Sequence, residues 1–482
     1  MTSGDDRTGG GFARPGSPPE VLGGSLVRLG EFVSGLAFSR QETAVRAALE
    51  RIVFDSLAVT MAGGRLPESH RLRRALPLAD GPATVFGQDT GTGAVEAAWL
   101  NGVSMVCLEL DEGNKLARGH ASAHVIPAAL ALAETKGCSG EDLASALLAG
   151  HEVASRFGYA AELTPGIHPH GNWGVAGAAA AASRLLGHSP AQVAAAIDAA
   201  GALALVTPFR AALAGMNVRN AWIGHAGAAG IHAAAIGATQ TEPLAGIAAD
   251  TFGIHLGSLS AEKLTADLGS EYAVTRGYFK RHASCSYTHP PADAVLGLIC
   301  AHGPVAPDDI DHIRVETHRL AAGLTSTRWP TRLATMFSIP YVVAIALIAG
   351  ECGVAQFGDS WRGREDVASL AAKVTVAEAA DLTARLPAER AARLQVRWAS
   401  GAQVTTEVSN PVGDADHSPF TDADLLGKAA KLLGSEQQAA QLRGLCAELL
   451  TAGQVTPVLA RLRTLAASAA TAPCAPERLM AR

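Results

Sequence analysis

Between Glu109 and His124 the chain sets three acids (Glu109, Asp111, Glu112), two basic side chains (Lys115, Arg118) and two histidines (His120, His124) within sixteen residues. An alanine-rich apolar run follows at once. Charge at that density beside a buried helix is costly unless the charges pair or serve chemistry. A solvated loop tolerates the same composition, but the apolar flanks argue against one. Acids next to histidines are the palette of proton transfer, because an imidazole titrates near neutral pH and a carboxylate orients it. His120 and His124 also have the i,i+4 spacing of two ligands on one helix face. Pro127, however, places the expected helix start after them, and neither HExxH nor a third ligand is visible, so no metal site is expected.

Three further stretches carry complementary groups. His168-Pro169-His170-Gly171-Asn172-Trp173-Gly174 stands before a Gly/Ala-rich run. A helix starting there offers free N–H groups and a positive dipole end to a carboxylate, with Asn172 beside it as a substrate-binding candidate. A turn with incidental histidines is the competing reading. Arg219, in Asn217-Val218-Arg219-Asn220, enters another small-residue helix. It is placed either to clamp a carboxylate with its guanidinium fork or to bond a neighbouring helix end. Phe279-Lys280-Arg281-His282-Ala283-Ser284-Cys285 sets basic groups beside a thiol, which lowers a thiol pKa and holds anions. Cys285 as a small core residue is the alternative. No dinucleotide fingerprint, P-loop or GxSxG is present. Acids, histidines, cations and a thiol without a visible cofactor site suit proton transfer on a small anion.

The elements that must position these groups come from the wider pattern. The 482 residues suffice for two or three domains, and 48% of them are hydrophobic against 17% charged. A net charge of −6 with no basic stripe disfavours nucleic acid. No apolar stretch reaches the length of a membrane span. Seven cysteines without CxxC, and an N-terminus lacking an apolar h-region, suit a reducing cytoplasm better than secretion. Residues 1–20 read as a disordered arm. From 21 to 275 the pattern is helical, with runs at 127–136, 141–157, 174–186, 190–204 and 221–237. Ser139 and Ser189 are N-caps, and Gly137 and Gly187 are stops. From 276 to 415 alternating segments (312–318, 373–378, 393–399, 403–408) interleave with helices at 290–302 and 336–350, an α+β unit. Helices return over 416–470, capped by Thr421 and Ser435, and can rejoin the first domain. The tail 471–482 reads as loose.

Taken together, LELDEGN, GHASAHVIPAALALAE, GIHPHGNWGVAGAAAAASRLLG, MNVRNAWIGHAGAAG, GYFKRHASCSYTHPPADA and MFSIPYVVAIALIAG, in this order, resemble the MmgE/PrpD family of 2-methylcitrate dehydratases and cis-aconitate decarboxylases. The resemblance spans roughly 25–460. It implies a mainly α fold, with a large all-helical domain built from both chain ends and a smaller α+β lid domain. It also implies a cleft site between the two, a homodimer, and no metal or organic cofactor. The family's acidic positions fall on Glu109, Asp111 and Glu112, its His-Pro histidine on His120, and its histidine before the Gly-rich helix on His168. Its lysines fall on Arg219 and Lys280, a lid histidine on Cys285, and the tyrosine of its S-x-x-Y segment on Tyr341. Glu109, Asp111, His120, His168, Lys280 and Cys285 are thereby expected to be catalytic, and Glu112, Asn172, Arg219 and Tyr341 to bind substrate. The implied activity is a cofactor-independent lyase, dehydratase or decarboxylase, that removes a proton α to a carboxylate of a small di- or tricarboxylate. A two-base epimerase and an inert dimeric binding protein are the alternatives.

Overall fold

A computed structural model describes residues 19–239 and 244–468. Of the arm expected over 1–20, residues 1–18 lie outside the described residues and the first helix already starts at Pro19; the tail expected over 471–482 lies outside them entirely. Helices α1 (Pro19–Gly35), α2 (Thr43–Gly64), α3 (Ala94–Val106), α4 (Ala121–Lys136), α5 (Gly140–Ala160), α6 (Gly174–Leu185), α7 (Pro190–Ala202) and α8 (Val218–Thr239) build the larger unit. Their starts follow local chemistry. The Ser139 side chain accepts from the Asp142 N–H, and Ser189 with Gln192 forms a reciprocal capping box. Gly137 ends α4 in the left-handed conformation. Small residues let these helices approach closely, since a Cβ on Gly230 of α8 would lie 2.3 Å from the Ala178 Cβ of α6. Pro127 does not mark the start of α4. The helix begins six residues earlier and runs through the proline. A proline removes one i→i−4 bond, but the residues from Ala121 to Glu134 are all buried, so packing holds the segment helical.

The second unit is α+β. Helix α9 (His289–His302) and helix α10 (Ile339–Ala349) pack against a four-stranded sheet. The strands β3 (Ile310–Thr317), β4 (Val374–Glu378), β5 (Ala392–Trp398) and β6 (Gln403–Val408) lie in the order β4-β3-β5-β6. Only the β3/β4 pair is parallel. Gly401, with φ +89°, makes the β5–β6 turn. Helices α11 (Asp422–Leu433), α12 (Glu436–Leu449) and α13 (Thr456–Ser468) return to the first unit. Leu425, Leu442 and Leu459 share one apolar core with Leu22, Leu57 and Leu147. A second core joins Val295, Ile313, Val343 and Leu394 to Leu108 and Leu110. The acidic segment thus runs along the seam between the two cores. Two short strands stitch that seam. β1 (Gly113–Asn114) pairs antiparallel with β2 (Gly277–Tyr278), just before Lys280. No helix among the described residues is long and apolar enough to cross a membrane.

Candidate active site

The segment after α3 alternates its side chains. Leu108 and Leu110 enter the second core, whereas Glu109 and Asp111 turn toward the seam and are themselves buried. Glu109 takes a φ of +52° and Arg118 one of +55°, both in the left-handed region that a β-carbon disfavours. Both line the same hollow, together with His120, His168, Arg219, Tyr278, Cys285, Tyr287, Phe337 and Arg390. Strain of this kind persists where surrounding contacts impose it, often at functional sites.

The acids are paired with the expected cations. Glu109 bonds Arg219 through Oε1, and its Oε2 lies 3.4 Å from Lys280 Nζ. Lys280 Nζ is also 3.2 Å from Asp111 Oδ1, and the lysine is 0% exposed. Burial by itself would raise the Asp111 pKa, but the charges of His120 and Lys280 more than reverse that, and the carboxyl stays ionised. Burial likewise opposes the Lys280 charge, and Asp111 with Glu109 outweighs it, so the ammonium is held above the ordinary lysine range.

Asp111 Oδ2 lies 2.9 Å from His120 Nδ1, and the Glu112 carbonyl oxygen lies 2.8 Å from the same nitrogen. Both partners are acceptors, so Nδ1 carries a hydrogen and Nε2 is the nitrogen open to proton exchange. His120 is the N-cap of α4 and lines the hollow. One turn on, His124 Nδ1–H donates to the His120 carbonyl at 2.7 Å, and its Nε2 accepts from the Gly171 N–H. Burial, with the charge of His120, pushes His124 down to about 4. It therefore acts as a neutral strut that ties α4 to the loop ahead of α6. On that loop His168 Nδ1 accepts the His170 N–H at 3.1 Å, which leaves the hydrogen on Nε2. Burial and then the Arg219 charge hold His168 well below the usual histidine range.

Several expected contacts differ. Asn172 does not reach the hollow: its amide donates to the His168 carbonyl and its oxygen accepts from Trp173 N–H, so it shapes the His168 loop. The Glu112 side chain accepts from Ser122 and faces His151, inside the helical unit. The Tyr341 hydroxyl donates to the Gln356 carbonyl at 2.7 Å between the Trp329 and Phe357 rings, away from the seam. Arg219 and Lys280 do not offer unspent charge to a ligand, because Glu109 and Asp111 already engage them. Nor is the Cys285 thiol lowered by its basic neighbours. Burial, with Glu109 next, raises it to about 11, so it is a thiol and a proton donor near neutral pH.

Sequence reasoning passed over Arg390, Tyr278 and Tyr287. Arg390 lies ahead of β5, where it reads as one more surface charge, and only the fold brings it beneath the seam. It also left His170 without a role. Both ring nitrogens of His170 are buried and, among the described residues, without a hydrogen-bond partner. Asp111, His120 and His170 each bring a ligand atom within 4.8 Å of the others, a donor set that suits a borderline divalent metal. Asp111 is engaged by Lys280 and His120, however, which makes the cluster as it stands a proton network.

Residues 27–266 match the MmgE/PrpD N-terminal domain and residues 282–449 the MmgE/PrpD C-terminal domain. The chain belongs to the MmgE/PrpD family. It is similar to a cis-aconitate decarboxylase of Aspergillus terreus (strain NIH 2624 / FGSC A1156), 25% identical over 471 residues that cover 90% of this chain and 95% of that protein. It is also similar to the cis-aconitate decarboxylase-like protein oryM of Aspergillus oryzae (strain ATCC 42149 / RIB 40), 27% identical over 486 residues that cover 92% and 98%. In this MmgE/PrpD chain the junction between the two matched domains falls at the seam that holds Tyr278 and Lys280.

Proposed function

We propose that the chain is a dehydratase- or decarboxylase-type lyase of a small tricarboxylic acid, with His120 Nε2 as the proton carrier. The observation behind this reading is the pair Asp111–His120. A backbone carbonyl accepts the Nδ1–H and an ionised, fully buried carboxylate lies 2.9 Å from the same nitrogen, so the opposite nitrogen is the one that exchanges a proton at the wall of a cation-rimmed hollow. The names of the Aspergillus relatives make cis-aconitate the first acid to test.

In the dehydratase form, His120 Nε2 takes the proton α to a carboxylate. The C–H electron pair moves into that carboxylate as an aci-form, and the β-hydroxyl leaves as water with a proton from the neighbouring acid, His168 Nε2–H or the Cys285 thiol. In the decarboxylase form, carbon dioxide departs, its bonding pair stays on carbon, and a proton is delivered there. Either way negative charge grows near the Arg219 guanidinium, which Glu109 fixes in place before the reaction begins. Lys280 acts through Asp111 and Glu109, holding them charged.

The test is His120→Ala assayed for consumption of cis-aconitate and of citrate-type acids in deuterium oxide. Turnover and deuterium incorporation should fall by about 10²–10⁴-fold, the range of a general acid–base group. Undiminished turnover would end the reading. A second reading, two-base epimerisation of a dicarboxylate, draws on one observation: Cys285 and His120 line the same hollow from different units. Cys285→Ser separates them, since epimerisation through the thiol collapses while a lyase run by histidines largely survives.

A further inference from the structure

We propose that Arg390 is the anchor for a substrate carboxylate that does not react, and so sets the preference for polycarboxylic acids. This deepens the lyase reading and rests on it. Three observations converge.

The first is the charge balance at the seam. Arg219 and Lys280 are the obvious anion binders, but both are bonded to Glu109 and Lys280 also to Asp111. They serve the internal acids. Arg390 is different. It is 6% exposed, and among the described residues no carboxylate lies within ion-pair reach of it; Asp414, whose charge it feels, is already paired with Lys115. Its guanidinium donates to the Lys115 carbonyl at 3.2 Å and lies 3.5 Å from Ser286 Oγ. The rings of Tyr278 and Tyr287 lie 5.4 and 5.5 Å away. Carbonyl and aromatic faces soften the cost of burying a cation, but they do not cancel its charge. A buried arginine fork without a carboxylate is complementary to one supplied by a ligand.

The second is place. Arg390 lines the hollow that also holds His120, His168 and Cys285. Arg118 adds another guanidinium to the lining, held by the Gly158 and Ala161 carbonyls through Nη2. The hollow is therefore lined by both guanidinium groups and proton-transfer groups. A molecule that fills it presents a carboxylate to Arg390 and its reacting carbon to His120, which describes a di- or tricarboxylic acid.

The third is coupling between the units. Arg390 belongs to the α+β unit, but its donor contact is to Lys115 of the acidic segment. Lys115 Nζ in turn pairs with Asp414 at 3.2 Å and Asp416 at 2.7 Å. A carboxylate on Arg390 is thus held where the two units meet, and binding there favours the closed seam.

The experiment uses the full-length protein, with tricarballylate and succinate as non-reacting probes in thermal unfolding and cis-aconitate in turnover. Tricarballylate should raise the wild-type Tm with log concentration. In Arg390→Gln that shift should vanish while the ligand-free Tm changes little. KM should rise by about 30-fold or more, with kcat within about threefold, because the lost contact is one that ground state and transition state share. Arg390→Lys keeps the charge and loses the fork, so its KM should fall between the two; it carries the test if Arg390→Gln does not fold. A tricarballylate shift as large in Arg390→Gln as in wild type overturns the assignment and leaves the lyase reading standing. If wild type itself is not stabilised by either acid and does not turn over cis-aconitate, the lyase reading fails and the anchor falls with it.

Discussion

Asp111 is 0% exposed and still ionised, because His120 and Lys280 together outweigh the desolvation that opposes its charge. In the proposed reaction it helps, with the Glu112 carbonyl, to fix which His120 nitrogen holds the hydrogen. Asp111→Asn tests this at the scale of one atom. An amide at the same place can donate to Nδ1, moving the hydrogen to Nε2 and removing the lone pair from the hollow. Turnover of cis-aconitate should drop by roughly 10²–10⁴-fold with the fold retained by circular dichroism. A loss below about threefold would show that the tautomer is set elsewhere. Residues of this kind were legible in the sequence, because acid and histidine lie within ten positions on one strained segment. Arg390 was not legible. Its chemistry depends on what surrounds it, and nothing near it in sequence says that Tyr278, Tyr287 and the Lys115 carbonyl will.

At the scale of elements, the start of α6 depends on close approach. The hydrogen of Gly174 points at the His124 ring, and a Cβ there would come within 2.2 Å of it. Gly174→Ala should displace His124 and with it the loop that carries His168, at about 1–3 kcal/mol by urea unfolding, together with a large fall in turnover. Ser189→Ala removes the capping box of α7, far from the hollow, and should lower stability by about 1 kcal/mol with turnover unchanged. Equal loss of turnover in both would mean that His124 has no special part. Caps such as Ser139, Ser189 and Thr421 were readable because a cap is satisfied within four residues. Pro127 misled, because its local penalty is smaller than the burial gained by the whole of α4.

At the scale of the whole molecule, the two units close around an unusual number of neutral histidines. Burial holds His124 and His318 down to about 4, and His168, His170 and His289 well below 6.5. An unfolded chain protonates these rings near pH 6.5 and the folded chain refuses the protons, so unfolding takes up protons and stability is lost as pH falls from about 6.5 toward 4. Each ring contributes up to about 1.4 kcal/mol per pH unit in that window. Asp55 and Glu134, whose carboxyls are raised mainly by burial, oppose the trend but are fewer. The urea midpoint should therefore fall steadily between pH 6.5 and 4.5, and a flat profile would contradict the neutral, buried state of these rings. The same closure depends on the returning C-terminal helices. Lys428 of α11 pairs with the buried Asp55 at 2.7 Å and donates to the Leu110 carbonyl, inside the acidic segment itself.

Sequence alone determined the capped helices from α5 onward, the four strands of the larger sheet, the MmgE/PrpD family and the chemical palette, because caps, periodicities and ordered motifs act over short stretches of chain. Tertiary structure alone decided how charge is shared at the seam. Coulombic partners depend on distance through space, and only folding brings Glu109 to Arg219 and Lys280, turns Tyr341, Glu112 and Asn172 to internal bonds, and leaves Arg390, among the described residues, as a buried cation out of ion-pair reach of an acid.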